Sequence, residues 1–228
     1  MRRVKIAPSI LAYDLGNLRG AVDIATKGGA DMVHLDVIDG HFAPNISFGA
    51  GTVKALRKST DLKFDTHLMI SEPRRYVQDF LDAGADNLIF QAEVIDKADL
   101  DALYAVVNGY GRKMGLALKP GTDLPTWAEE RLDRLKTILI LTVNPGFSFQ
   151  KMDTNQFPKI EKISRLVDER GLDIDIEIDG GIDAGNIHEV AKRGGNAFVA
   201  GAAVYGQPDP VAAIARLKVN AKVARGAA

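Results

Sequence analysis

Three short apolar stretches of this sequence carry ionisable residues at a spacing of two. His34 and Asp36 alternate with Val33, Leu35 and Val37; Asp65 and His67 stand in Phe-Asp-Thr-His-Leu-Met; and Asp175, Glu177 and Asp179 alternate with Ile174, Ile176 and Ile178. In an extended strand residues two apart share a face, so each stretch points its ionisable groups one way and its branched apolar groups the other. Any one of these groups, alone, reads as a satisfied core residue or a strand-end cap. Three strands with the same anomaly weaken that reading, because buried charges are costly unless they pair or bind a cation. Two imidazoles and two carboxylates, from His34, Asp36, His67 and Asp179, form a donor set that zinc, iron(II), manganese or cobalt would accept. Asp65, Asp175 and Glu177 fall deeper or on the other register and read as hydrogen-bond acceptors behind the ligands or as core ion pairs.

Positioning such a set requires parallel strands that present their C-terminal ends to one opening. Eight β-rich apolar runs occur, Val4 to Ile10, Met32 to Ile38, Lys63 to Ile70, Asn87 to Ala92, Lys113 to Lys119, Thr137 to Val143, Asp175 to Asp179 and Ala197 to Gly201. Segments of helical period lie between and after them: Asn17 to Lys27, Arg74 to Ala83, Leu100 to Val107, Phe157 to Arg170, Ile187 to Arg193 and Pro210 to Val223. Gly29, Gly84 and Gly194 fall where a helix ends and a strand begins, which suits a left-handed cap. Eight such units in 228 residues, with no Ser- or Pro-rich linker, predict an α/β fold of the (β/α)8 TIM-barrel type, a single domain over 1–228. An open doubly wound sheet is the competing architecture, and it would usually show fewer strands at this length.

The last three strands are each followed by glycine: Asn144-Pro-Gly-Phe, Asp179-Gly-Gly and Gly201-Ala-Ala-Val-Tyr-Gly. A glycine pair is most often a turn, but three such loops at the catalytic end of a barrel suit a phosphate, since glycine lets backbone N–H groups close on an anion.

Composition narrows the partners. Twenty-nine basic and thirty acidic residues leave a formal charge of -1, so no global field draws nucleic acid or an anionic membrane surface. There is no cysteine, so a metal must sit on histidine and carboxylate, and a cytoplasmic location is expected. No signal-like segment and no apolar run of transmembrane length is found, and a soluble protein acting on small molecules is expected.

From Ala7 to Gly201 the sequence resembles the ribulose-phosphate 3-epimerases. The segments that carry the likeness are Ala7-Pro-Ser-Ile-Leu, His34-Leu-Asp-Val-Ile-Asp-Gly-His-Phe-Ala-Pro-Asn, His67-Leu-Met-Ile, Val143-Asn-Pro-Gly-Phe, Ile176-Glu-Ile-Asp-Gly-Gly and Phe198-Val-Ala-Gly-Ala, the second being very specific. The resemblance implies one divalent ion on His34, Asp36, His67 and Asp179, with zinc the first choice and Fe2+, Mn2+ or Co2+ the others. It implies Asp36 and Asp179 as the two acid/base groups of a C3 epimerisation, with Asp36 the base toward D-ribulose 5-phosphate and a protonated Asp179 the acid. It further implies that Ser9 meets the substrate near the ketose, that His67, Met69, Gly146, Phe147, Ser148, Gly180, Gly181, Gly201 and Ala202 complete the substrate site, and that the chain forms a homo-oligomer. The apolar loop His41-Phe-Ala-Pro-Asn-Ile-Ser-Phe suits such contacts.

The sequence departs from the family at several points. The loop that usually reads Asn-Pro-Gly-Phe-Gly-Gly-Gln has Ser148 and Phe149 before Gln150, and the usual Gly-Ser after the eighth strand is Gly201-Ala202. Phe149 should avoid positive φ and bring bulk to the phosphate, so a rearranged grip is expected. Ile38 and Leu141 replace methionines, and Gln91 stands where many members have histidine, a set of changes expected to alter substrate contacts. Alternatives stay open: a 3-epimerase of hexulose 6-phosphate or tetrulose phosphate, or a non-catalytic metabolite-binding barrel. A barrel decarboxylase is disfavoured, since no Asp-x-Lys-x-x-Asp array surrounds Asp36 or Asp179. His41 reads as ordering its loop, His188 as solvated surface and Trp127 as helix packing.

Overall fold

The computed structural model describes residues 2–226. Eight parallel strands alternate with helices: β1 Lys5–Pro8, α1 Leu18–Lys27, β2 Met32–Ile38, α2 Ala50–Arg57, β3 Lys63–Met69, α3 Val77–Asp82, β4 Asn87–Gln91, α4 Lys97–Gly109, β5 Lys113–Leu118, α5 Thr126–Glu129, β6 Thr137–Leu141, α6 Phe157–Glu169, β7 Asp175–Asp179, α7 Ile187–Lys192, β8 Ala197–Ala200, α8 Ala202–Tyr205 and α9 Pro210–Ala224. Each strand pairs with its sequence neighbour, β8 returns to β1, and a parallel bridge between Ser9 and His34 draws β1 against β2 to close the (β/α)8 barrel.

All eight expected strands form, each within two residues of its expected ends. The expected helices differ at their boundaries for local reasons. Helix α4 starts three residues earlier than its apolar period suggests because Asp96 and Asp99 make a reciprocal capping box. Arg74 and Arg75 lie in a 3-10 turn, Pro73–Arg75, and α3 begins only at Val77. Helix α2, which the helical period did not reveal, carries two glycines at its start and buries only Val53 and Leu56, so packing rather than local propensity holds it. Gly29, Gly84 and Gly194 take φ of 68°, 98° and 106°, as the cap reading expects. Trp127 lies in α5 and packs against the core.

Register decides what faces the barrel interior. Cross-strand partners share a face, so the pairings Asp36 with His67, His67 with Ile89, Gln91 with Ala117, and Leu141 with Asp179 put all of these inside. Ile89, Ala117, Leu139 and Leu141 form a small apolar cluster on that inner face. The opposite faces of the strands, with Val33, Leu35, Phe64, Leu88, Phe90, Ile138, Ile176 and Phe198, build the large core under the helices. The buried interior is thus ionisable along β2, β3 and β7 and uncharged along β4 to β6, where Gln91, Asn87 and Thr137 are its polar groups, and that asymmetry places the site.

Candidate active site

His34, Asp36, His67 and Asp179 meet at the C-terminal mouth of the barrel, each offering one atom within 4.8 Å of the others. Asp36 Oδ1 is central, 3.3 Å from His34 Nε2 and 3.4 Å from His67 Nδ1, and Asp179 Oδ2 lies 3.8 Å from His67 Nδ1. Those two ring nitrogens are buried and have no hydrogen-bond partner. Orphaned imidazole nitrogens beside two carboxylates are the donor arrangement a borderline divalent cation accepts, so the residues fit the metal that the sequence implies.

Each imidazole is held from behind through its other nitrogen. His34 Nδ1 donates to Asp65 Oδ2 at 2.7 Å, and Asp65 Oδ1 in turn accepts from Asn87 Nδ2 at 2.6 Å. His67 Nε2 lies 2.7 Å from the carboxamide of Gln91. The other oxygen of Asp36, Oδ2, accepts the Ser9 hydroxyl at 2.5 Å.

The same burial drives the two aspartates apart. Burial works to raise the Asp36 carboxyl, but the His34 and His67 rings override it and hold it well below the usual carboxylate range. Burial, reinforced by the charge of Asp36, pushes Asp179 up to about 6. Burial works against a charged His34, yet Asp36 and Asp65 on its two sides raise it well above the ordinary imidazole value.

Below this layer His34, Asp65 and Glu177 also bring donor atoms within 4.8 Å of one another. There His34 Nδ1 is already spent on Asp65, while burial and the Asp65 charge push the Glu177 carboxyl well up, toward its neutral form. Asp65 thus stands as the acceptor behind His34, while both Glu177 oxygens are buried without a hydrogen-bond partner, the nearer one 3.7 Å from His34 Nδ1. Asp175 is at the far end of β7, ion-paired with Lys5 and accepting from Asn196 at 2.7 Å, away from the cluster.

The cleft above the cluster is lined by Ser9, Asp36, Met69, Gly146, Phe147, Ser148, Asp179, Gly180, Gly181, Gly201 and Ala202, all expected there, and by Leu141, also expected as a substituted position. His67 is fully buried and does not line the cleft; its place is in the donor cluster beneath it. Leu11, Val143, Ile182 and Val199 also line the cleft, apolar residues in or just after the strands with nothing in their type to mark them, as do Asn144, Pro145, Phe149 and Gln150 of the loop after β6. Ile38 is buried beside Met69 without lining the cleft, and Gln91 likewise stays beneath it. His41 is outside the cluster, its N–H donating to Asp39 Oδ1 at 2.8 Å, and His188 is half-exposed beside Glu189.

Phe149 corrects the expectation that it avoids positive φ. It takes φ 66°, the one non-glycine residue with positive φ among those described, and its side chain is largely in solvent, 75 % exposed. The loop therefore keeps the backbone path a glycine would take, with Phe149 at the rim of the cleft and mostly in solvent. Gln150 clamps the path, donating from Nε2 to the carbonyls of Asn144 and Phe147 at 2.8 Å each. Left-handed backbone costs a non-glycine residue about 1–2 kcal/mol, and glycine's extra unfolded-state freedom offsets about 0.5–1 kcal/mol of that. Phe149→Gly is therefore expected to stabilise the protein by up to about 1.5 kcal/mol, raising Tm by a few degrees. A lower Tm in thermal unfolding would show that the ring, not the strain, dominates.

Residues 5–205 match the Ribulose-phosphate 3 epimerase family. The chain is 43% identical over 216 residues to the ribulose-phosphate 3-epimerase of Bacillus subtilis (strain 168), across 94% of this chain and 98% of that protein. It is 38% identical over 210 residues to that of Escherichia coli (strain K12), across 92% of each. Among solved structures, 3-keto-L-gulonate-6-phosphate decarboxylase from Vibrio cholerae shares the fold, with a TM-score of 0.73 at 16% identity over 98% of this chain and 99% of that one. Since the matched span runs from β1 past the glycine loop after β8 and takes in all four donors, the chain belongs to the ribulose-phosphate 3-epimerase family.

Proposed function

We propose that this protein is an isomerase that epimerises D-ribulose 5-phosphate at C3 to D-xylulose 5-phosphate, using one divalent ion per subunit. The observation that carries this reading is the convergence of Asp36 and Asp179 from β2 and β7 on one cleft, with His34 and His67 completing a four-donor cluster beneath it.

Epimerisation removes a proton α to the ketose carbonyl and returns one to the other face, so two carboxylates must flank a planar enediolate. Asp36, ionised, takes the proton from D-ribulose 5-phosphate, and the Ser9 hydroxyl on Oδ2 orients its carboxylate. Asp179, whose carboxyl is pushed up to about 6 by burial and the Asp36 charge, returns a proton from the other side. A divalent ion on His34, Asp36, His67 and Asp179 supplies electrostatic stabilisation of the charge that develops on the substrate oxygens. Zinc is our first choice for that ion, with Fe2+, Mn2+ or Co2+ the others the donors suit. Ser9 and Met69 contact the ketose, and the loops through Gly146, Phe147, Ser148, Gly180, Gly181, Gly201 and Ala202 hold the phosphate.

Among the described residues no helix is long and apolar enough to cross a membrane. We place the enzyme in the cytoplasm and as a homo-oligomer, the latter supported by the 76 % exposure of Ile46 in the loop beside the site.

Turnover should be measured on ribulose 5-phosphate after chelation and again after adding zinc, manganese or iron(II). The chelated protein is expected to lose at least about 100-fold in kcat and to regain it with metal. Hexulose 6-phosphates run in parallel test the second reading, which Ser148, Phe149 and Ala202 motivate. An enzyme inert toward ribulose 5-phosphate but active on a hexulose 6-phosphate would sink the substrate named here and keep the reaction.

A further inference from the structure

Gln91 ends β4 and is completely buried, at 0 % exposure. It lines no part of the substrate cleft, and its carboxamide nitrogen lies 2.7 Å from His67 Nε2, leaving the amide oxygen Oε1 without a partner. On the other side of the same ring, Nδ1 has no hydrogen-bond partner and faces Asp36 and Asp179.

A neutral imidazole carries one proton. When Gln91 donates, His67 Nε2 accepts and the ring proton sits on Nδ1, pointing at the carboxylates. When the amide makes a half-turn about Cγ–Cδ, Oε1 occupies the same place with no other atom moved, since the two ends of a carboxamide are nearly the same size. The ring proton must then sit on Nε2 and donate to Oε1, which turns the Nδ1 lone pair toward the carboxylates and moves the amide nitrogen to the place where Oε1 now has no partner. Only this second tautomer can ligate through Nδ1. His34 has no such choice, because an ionised Asp65 only accepts and so keeps the proton on Nδ1.

We propose that Gln91 is the positioning residue for His67, turning its amide from donor to acceptor to fix the tautomer in which Nδ1 is free to hold a metal. The proposal rests on the metal-dependent reading above. It also assigns Gln91 a role on the ligand side of the site, where the sequence comparison pointed to the substrate.

The test uses the full chain, with zinc as the probe and a chromophoric chelator in competition. Gln91→Leu, similar in size but unable to hydrogen-bond, is expected to bind zinc about 10- to 100-fold more weakly. Gln91→His, whose ring nitrogen again offers Nε2 a partner, is expected to recover most of that loss. Nitrogen-15 side-chain NMR of the zinc-loaded wild type is expected to show His67 protonated at Nε2 and ligated at Nδ1. An unprotonated Nε2 in the wild type would overturn the proposal even if the leucine variant failed to fold. So would a folded leucine variant that binds zinc as tightly as the wild type. A wild type that binds no zinc, manganese, iron(II) or cobalt would overturn the metal reading first, and this proposal with it.

Discussion

Asp36→Asn and Asp179→Asn are each expected to lower kcat on ribulose 5-phosphate by at least about 10³-fold. Loss of a positioned general acid or base alone is typically worth about 10²–10⁴-fold, and both residues also belong to the four-donor cluster. Asparagine keeps the shape of the side chain, so the fold should survive. Solvent isotope exchange in D2O separates the two roles. With Asp179→Asn, Asp36 can still remove the C3 proton of ribulose 5-phosphate and return a deuteron to the same face, so slow exchange without epimerisation is expected. With Asp36→Asn, the same slow exchange is expected from xylulose 5-phosphate instead. A swapped pattern would reverse the assignment of faces, and activity within tenfold of wild type in either variant would remove that residue from the chemistry.

The second large effect concerns the loop beneath the proposed phosphate grip. Gly181 has φ 63°, and a Cβ there would stand 2.4 Å from the Met152 nitrogen and 2.9 Å from the Gln150 carbonyl oxygen. Both are backbone atoms, so no rotamer change relieves the clash. The segment is pinned on both sides: Gln150 clamps Asn144 and Phe147, and the Asp153 N–H donates to the Thr142 carbonyl at 2.7 Å. Relief must therefore displace the loop that lines the cleft. Left-handed strain of about 1–2 kcal/mol and overpacking of about 1–3 kcal/mol, less about 0.5–1 kcal/mol gained by restricting the unfolded chain, predict a loss of roughly 1–4.5 kcal/mol in stability for Gly181→Ala. KM for the phosphorylated ketose is expected to rise at least about tenfold, the equivalent of about 1.4 kcal/mol of lost binding. Gly29→Ala is the matched control, because Gly29 has nearly the same φ, 68°, with nothing within 4 Å of the added carbon. It should lose only the left-handed term and leave KM unchanged. Equal destabilisation by the two variants would show that backbone angle, not contact with the Gln150 to Met152 segment, is what Gly181 serves.

The sequence by itself determined which side chains turn inward. His34 with Asp36, Asp65 with His67, and Asp175, Glu177 and Asp179 share faces because alternation along a strand is a property of consecutive residues and needs no distant partner. Strand positions and the glycine caps were legible for the same reason. Depth was partly legible, because Asp65 and Glu177 precede His67 and Asp179 by two residues along their strands and so lie one layer further from the mouth.

Everything that depends on which strands meet at which height came from tertiary structure. Barrel closure at Ser9 and His34, the Asp65 carboxylate behind His34, and the Gln91 amide behind His67 are contacts between different strands, and their geometry follows from closing the sheet. Gln91 reads as a substrate contact until that closure turns it onto a histidine. Helices α2 and α8 escaped the periodic pattern because they are too short or too glycine-rich to form without the barrel to pack on, while the short α5 was marked only by Trp127. Phe149 shows the same precedence of long-range structure over local preference: a loop clamped by Gln150 and closed against Gly181 imposes φ 66° on a residue that would avoid it in isolation.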